Sequence, residues 1–387
     1  MKYIRNIFLF GLSFIIYILL WPIGKVIYSR KKPWLFCERG FDANDNSYYF
    51  LKWIRENKKQ INCYYIINKK AFNYNEIKSL CKVVRFGSFK HWLIFIGSRV
   101  RLSTHLNSYV PNQHLIRFFI NYKKSGLDVF LQHGITHNFQ DCFYKINNNS
   151  DLIVCGAQSE YDYLLKNYDL SSESLIFCGF PRFDFLLKND IKTEKSILIM
   201  PTWRRYLFGL STHDFIKSDY FINWMNLLND EKLIKLCGEK QIKILFNIHP
   251  SFSSCAGSFV DNCKNKSVFF VKNDENIQTL FKKSSLLITD YSSILFDYAL
   301  LKKPTIYFQF DQADFYNKQY NHGFFYIDKN GFGDVFLDVD SVVKKISYYS
   351  LSNFELENLY KNRIVDFFGE NINSCQKLFG VIEEKLK

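Results

Sequence analysis

The sequence has no C-x-x-C pair, and its ten cysteines, at positions 37, 63, 81, 142, 155, 178, 237, 255, 263 and 375, fall at no spacing that would form a zinc site. Several sit in apolar runs such as "DLIVCG" and "LIFCGF", where cysteine acts as a small hydrophobe, so the chain reads as reduced and cytosolic. No fixed period recurs along it. Methionine is scarce, 3 residues against 40 Phe and 25 Tyr. Acidic charge is in deficit, with 51 Lys and Arg against 37 Asp and Glu, a net +14. Such a surface suits a polyanion, an anionic membrane or a phosphorylated substrate. An A·T-rich genome, which favours Lys, Asn, Phe, Ile and Tyr codons, accounts for much of the same bias, so the charge alone decides little. Disorder is excluded, because 48% hydrophobic and 23% charged residues is a globular composition, and 387 residues suffice for two or three domains with substantial cores.

Charge is absent from residues 6–24, "NIFLFGLSFIIYILLWPIG", which Lys2 and Arg5 precede and Lys25, Arg30, Lys31 and Lys32 follow. As a helix this span is just long enough to cross a bilayer of about 30 Å. A cleaved signal peptide fits less well: no small-x-small site follows, and the basic cluster lies on the wrong side. The denser positive cluster places residues 25 onward in the cytoplasm by the positive-inside rule. Pro22 and Gly24 favour a broken or in-plane helix over a straight crossing. In either case residues 1–32 form a membrane-associating segment and the body stays on the cytosolic face.

From residue 33 the text alternates short apolar runs with amphipathic stretches. "PWLFC", "CYYII", "KVVRF", "RVRLS", "DVFLQ", "DLIVC" and "LIFCG" read as strands, and "NSYYFLKWIRENKK" and "AQSEYDYLLKNY" as helices. A second series follows with "SILIM", a long amphipathic stretch over about 214–237, "IKILFNI", "SVFFV", "SLLIT" and "PTIYF". The polar link "FLLKNDIKTEKS" between the series marks the boundary, giving domains at 33–190 and 191–387, the latter ending in helices of which one is read as crossing back to the first. The expectation is an α/β protein of two Rossmann-like doubly wound domains facing a cleft, with the site at the carboxyl ends of strands.

Polar residues gather where these strands end. "SLLIT" runs into Asp290, Tyr291, Ser292 and Ser293 and then the helix "SSILFDYALL", a turn suited either to a phosphate or to plain N-capping. "ILIMPTWRR" ends with Arg204 and Arg205, "ILFNIHP" with His249, "DVFLQHG" with His133, and "LIFCGFPRFDFL" with Arg182 and Asp184. A lone histidine at a strand end is more often structural than catalytic, but several polar strand ends directed at one cleft are harder to dismiss.

The set "LQHG", "GFPRFDFL", "ILIMPTWR", "NIHP" and "ITDYSSILFDYALLKKPTIYF", in that order, resembles the CDP-glycerol glycerophosphotransferase family of teichoic acid and capsule synthesis, and "ERGFDANDNSYYFLKWI" is similar to the stretch that opens its catalytic part. The match covers roughly residues 33–310. One departure is "HGITHNF", where members often continue the first His-Gly with Thr-Pro and a basic residue; it bears on the acceptor.

The resemblance implies a GT-B type architecture and a membrane-associated enzyme, on the cytoplasmic face of the bacterial inner membrane, that moves an alditol phosphate, foremost glycerol phosphate, from a CDP-alditol to a hydroxyl of a lipid-linked or polymeric acceptor, releasing CMP. Carried over by motif, His133 is the general base, with His137 its rival, and His249 bonds the pyrophosphate or the leaving CMP. Arg204 pairs with phosphate oxygens, Thr289, Ser292 and Ser293 hold the pyrophosphate, and Asp297 accepts from ribose or alditol hydroxyls. Arg182 and Asp184 belong to the acceptor side or to the scaffold. No D-x-D or carboxylate cluster lies near these turns, so no metal site is expected and no cofactor is required, although Mg²⁺ is compatible as a screen for the donor diphosphate. Two other readings compete. A GT-B glycosyltransferase with a nucleotide-sugar donor needs the same pyrophosphate cradle. A non-catalytic, membrane-attached polyanion-binding protein would use the +14 charge, but not the polar strand ends. Nucleic acid is not an expected partner.

Overall fold

The computed structural model describes all residues except 1, 29, 116–125, 146, 149, 189, 273, 274 and 370–372, and the side chains except those of 2–8 and 113, so Lys2 and Arg5 lie outside the described side chains. The chain divides into two compact units. One is Met1–Ile135 with Asp141–Phe185 and Asn371–Lys387; the other is Thr136–Gln140 with Leu186–Glu370. The expected boundary at 190 lies five residues beyond Phe185, and two pieces depart from a linear division: Thr136–Gln140 joins the second unit, and the segment from Asn371 returns to the first.

In the first unit β1 (Trp34–Cys37), β2 (Cys63–Ile66), β3 (Lys82–Val84), β4 (Val100–Ser103), β5 (Leu127–Phe130), β6 (Leu152–Cys155) and β7 (Leu175–Phe177) form a parallel sheet in the order β3-β2-β1-β4-β5-β6-β7. β1, β2, β4 and β6 are buried along their whole length, as strands covered by helices on both faces must be. Across the β4/β5 register sits a buried ion pair, Arg101 with Asp128.

The helix Lys2–Tyr28 packs on this unit beside the helix Phe89–Gly97. The two backbones meet at glycines: a Cβ on Gly97 would lie 2.7 Å from the Gly24 carbonyl oxygen. Ser13, Leu20, Gly24 and Tyr28 face inward, and Asn112 Nδ2 donates to Ser13 Oγ at 2.8 Å. Leu9–Tyr28 is long and apolar enough to cross a membrane, yet one side of it is docked, while Ile15, Ile18, Leu19, Trp21 and Val26 stay exposed.

In the second unit β8 (Ser196–Met200), β9 (Lys243–Phe246), β10 (Val268–Phe270), β11 (Leu286–Thr289), β12 (Thr305–Phe308) and β13 (Gly333–Phe336) form another parallel sheet, ordered β10-β9-β8-β11-β12-β13. The core is aromatic, with Trp224 fully buried against Phe246, Phe308 and Phe310. The amphipathic stretch over 214–237 does not form one helix. It breaks into Thr212–Phe215, Asp219–Leu228 and Glu231–Lys240, because Ser218 and Asp230 each turn a side chain back to cap a new start. In both sheets the strand order reverses once, between β1 and β4 and between β8 and β11, and crevices for ligands open at the carboxyl ends of strands at such a point.

Candidate active site

At the switch point of the first sheet, β1 runs into the loop 38–45, β4 into His105 and β5 into His133. Glu38 organises the loop. It is buried and accepts backbone N–H bonds from Asn44 (3.0 Å), Asp45 (3.1 Å) and Tyr48 (3.0 Å), which fixes Asp45 as the N-cap of the helix Asn46–Asn57. Burial, with Asp45 and Asp42 beside it, pushes the Glu38 carboxyl up to about 8 against the pull of those N–H bonds.

Asp45 accepts from Arg182 Nη1 at 2.8 Å through one oxygen and pairs with His133 Nδ1 through the other. Burial raises its carboxyl, but His133 and Arg182 outweigh it and hold the group well below the usual carboxylate range. The His133 side chain is 59% exposed, so with Nδ1 on the carboxylate its Nε2 is the nitrogen offered to a substrate. Gln132, immediately before it, takes a left-handed φ of 56°, and Asn46 Nδ2 ties down the Leu131 and Gln132 carbonyls at 3.3 and 2.7 Å. A strained residue whose carbonyl is held in place beside an exposed imidazole is the pattern of a functional turn. His105 lies with its ring centre 5.0 Å from that of His133 and accepts from Arg39 Nε at 2.9 Å, which makes it a neutral ring. Burial, then His133 and Arg39, push it down to about 3.

The remaining first-unit candidates are scaffold. Arg182 is buried, its guanidinium over the Phe180 ring at 5.1 Å, and it acts through Asp45. Asp184 accepts the Ser374 and Cys375 backbone N–H groups at 2.8 and 2.9 Å, capping the helix Ser374–Lys385 and tying it to this unit. His137 belongs to the second unit, where its ring is buried with its centre 5.6 Å from Phe296 and 6.5 Å from Phe325. Its ring is thus packed within that unit, whereas the His133 ring is exposed.

In the second unit β9, β8, β11 and β12 lie side by side and end in His249, Thr202–Arg205, Asp290–Ser293 and Asp311. Arg204 is turned into the unit. It has no exposed surface: Nε and Nη2 bond Asp311 at 2.7 and 2.9 Å, Nη2 also bonds Asp290 at 2.9 Å, and Nη1 bonds the Thr202 carbonyl at 2.7 Å. Burial opposes its charge, but the two carboxylates raise its pKa above the ordinary value, so it stays a cation committed to the protein. Arg205 is the exposed neighbour, on a loop that Gln319 clamps by accepting from Arg205 N–H at 2.8 Å and donating to the Trp203 carbonyl at 3.0 Å.

Thr289 is likewise engaged, its hydroxyl donating to the Met200 carbonyl at 2.7 Å in the neighbouring strand. Ser292 and Ser293 are half-buried; Ser292 Oγ accepts a long 3.4 Å bond from Ile294 N–H, and Ser293 makes no side-chain cap bond to the helix Ile294–Leu300. His249 is half-buried, stacks on Trp203 with ring centres 6.0 Å apart, and accepts from Ser251 N–H at 3.1 Å. Asp297 is buried one turn into its helix. Among the described residues no three His, Cys, Asp or Glu side chains are grouped as a metal site requires.

Asp45, His105, Glu38, Asp311 and Gln319 were not singled out by sequence reasoning. Their signal was weak: polar residues after a strand are ordinary, and only register brings them beside His133 or Arg204.

Two doubly wound, all-parallel units with this strand order make the fold GT-B-like. Residues 24–378 match the family described as CDP-Glycerol:Poly(glycerophosphate) glycerophosphotransferase, and the chain belongs to that family. It is similar to the minor teichoic acid biosynthesis protein GgaB of Bacillus subtilis strain 168, 34% identical over 377 residues, which is 92% of this chain and 40% of that protein. The teichoic acid glycerol-phosphate primase of Bacillus spizizenii is 28% identical over 254 residues, 62% of this chain and 61% of the relative. The ribitol-phosphate polymerase TarK of Staphylococcus aureus is 27% identical over 180 residues, 41% of this chain and 32% of the relative. The chain thus spans less than two thirds of each of these proteins. Among solved structures the wall teichoic acid polymerase TagF superposes with a TM-score of 0.72 over 99% of this chain and 97% of that one at 17% identity, a likeness of fold.

Proposed function

We propose that the chain transfers an alditol phosphate, glycerol phosphate foremost, from a CDP-alditol to a hydroxyl of a membrane-linked or polymeric acceptor in teichoic-acid-like or capsule polymer synthesis, at the cytoplasmic face of the membrane. The observation that carries this reading is the Asp45–His133 pair: a carboxylate fixing one imidazole nitrogen while the other faces solvent at a switch point. The relatives named for glycerol phosphate and ribitol phosphate supply the donor class.

In the reaction His133 Nε2 takes the proton of the acceptor hydroxyl as its oxygen attacks the alditol-bearing phosphorus. The bond from that phosphorus to the oxygen shared with the cytidylyl phosphate breaks, and CMP departs with the electron pair. Asp45 holds Nδ1–H in place and stabilises the imidazolium that forms. Phosphoryl transfer depends on positioning and on neutralising charge more than on covalent catalysis. Within the second unit the Ser292 and Ser293 hydroxyls, His249 and the exposed Arg205 are the groups offered to the donor phosphates, and the buried Thr289 and Asp297 support the turn that carries the two serines. Arg204 acts only by holding Asp290 and Asp311.

The test is calorimetric binding of CDP-glycerol, CDP-ribitol and a UDP-sugar to the full chain in detergent. Tighter binding of one CDP-alditol is expected, and it names the alditol. Binding of the UDP-sugar alone would replace this reading with nucleotide-sugar transfer.

A further inference from the structure

A second polar pocket lies at the other edge of the first sheet. His133 follows the carboxyl end of β5, whereas this pocket, of about 600 Å³, opens where β1 and β4 begin. Arg30, Lys31, Lys32, Arg99 and Lys387 line it, with Glu383 the one carboxylate side chain and Trp34 an apolar wall. Arg99 is half-buried and anchored, its Nη2 donating to the Leu386 carbonyl at 2.7 Å. The Trp34 indole is 4% exposed.

What feeds into the pocket names its occupant. Arg30, Lys31 and Lys32 follow directly on the helix Lys2–Tyr28, whose outer side shows Ile15, Ile18, Leu19, Trp21 and Val26 to the surroundings, Val26 at 76% exposure. The inner side is docked on the unit through Ser13, Leu20, Gly24 and Tyr28. A helix so fixed lies along the surface of its unit, and an apolar outer side of that length suits the acyl boundary of a bilayer. The cationic pocket at its end then stands at headgroup depth, where clustered Lys and Arg meet anionic lipid. Five cations against one carboxylate side chain suit a phosphodiester and disfavour a zwitterionic headgroup, whose ammonium they would repel.

We propose that this pocket binds the phosphodiester headgroup of an acidic glycerophospholipid and so seats the helix in the plane of the membrane. Arg99 and Lys31 grip the phosphate. The site is separate from the candidate active site, and its test does not involve CDP-alditol turnover.

The experiment is native mass spectrometry of the full chain released from non-ionic detergent, with phosphatidylglycerol or phosphatidylcholine titrated in, for wild type, Arg99→Gln/Lys31→Gln, Lys31→Gln/Lys32→Gln and, as a remote control of equal charge loss, Lys235→Gln/Lys240→Gln. Wild type is expected to keep phosphatidylglycerol over phosphatidylcholine. Both pocket variants should weaken that binding about thirtyfold, from roughly 1 kcal/mol per basic residue, with the control unchanged. The second pocket variant alters only exposed lysines, so misfolding does not obscure the result. Equal retention of the two lipids, an equal loss in the control, or displacement of phosphatidylglycerol by equimolar inorganic phosphate would each overturn the proposal, the last by making the ligand a free anion.

Discussion

Asp45 is gripped from two sides, by Arg182 Nη1 at 2.8 Å and by His133 Nδ1, so the carboxylate that orients the imidazole is itself oriented by a buried guanidinium. This three-residue chain joins the loop after β1, the turn after β5 and the helix Pro181–Leu186 into one support for His133 Nε2.

Asp45→Asn should therefore lower kcat by about 10²-fold or more while leaving KM for the CDP-alditol within error, because it disturbs proton acceptance and not the donor-binding residues of the second unit. Steady-state kinetics at saturating acceptor checks this. A rise in donor KM with kcat preserved would place Asp45 in donor binding.

The same pair sets an acid limit. A carboxyl held below its unfolded value contributes stability that is present above that value and lost as pH falls through the folded one. Wild type should lose unfolding free energy relative to Asp45→Asn as pH drops below about 4, the ordinary carboxylate range. Urea unfolding at stepped pH reads the convergence of the two proteins.

Arg204 and Arg205 should separate cleanly. Arg204→Ala strands the buried Asp290 and leaves Asp311 without its cation, at a cost of about 3–5 kcal/mol. Arg205→Ala removes an exposed cation and should leave stability within about 0.5 kcal/mol while raising donor KM. Thermal unfolding and donor kinetics of both variants decide the division.

Ser292→Ala/Ser293→Ala should weaken CDP-alditol binding by about 10²- to 10⁴-fold, at roughly 1.5–3 kcal/mol for each of the two hydrogen bonds to a charged group. Unchanged affinity would make these serines local turn formers.

Gly97→Ala tests the docking of the N-terminal helix. The added methyl would meet Tyr28 and the Gly24 carbonyl, so the helix must shift or detach. Faster proteolysis within residues 9–28 in detergent, with the rest of the chain protected, is the expected result.

Twelve strands are legible as short, largely apolar runs, the form that parallel strands take beneath helices, although the edge strands β3 and β10 are less buried than the central ones. β13 was not read, since "GDVF" opens with Gly and Asp; Gly333 is there because a Cβ would collide with the Thr305 carbonyl of the adjoining β12. The sequence led to the expectation that one C-terminal helix crosses back to the first domain, but not to its anchor, Asp184 accepting from Ser374 N–H across 190 residues. The site was half legible. Strand-end motifs located His133, Ser292 and Ser293, but the identity of the available arginine depends on burial: Arg204 and Arg205 are adjacent in sequence, and only the neighbouring Asp290 and Asp311 decide which turns inward. Asp45 was inside a stretch already noted for its likeness to the family, with nothing in its spacing to tie it to a histidine 88 residues away.

The most direct measurement is CMP release from CDP-glycerol and CDP-ribitol by the detergent-solubilised chain with membrane acceptor, comparing wild type, His133→Ala and His137→Gln. The expected result is release from one donor, reduced about 10²- to 10⁴-fold in His133→Ala and retained in folded His137→Gln. Release that survives His133→Ala and vanishes in folded His137→Gln would contradict the assignment of His133 as the base.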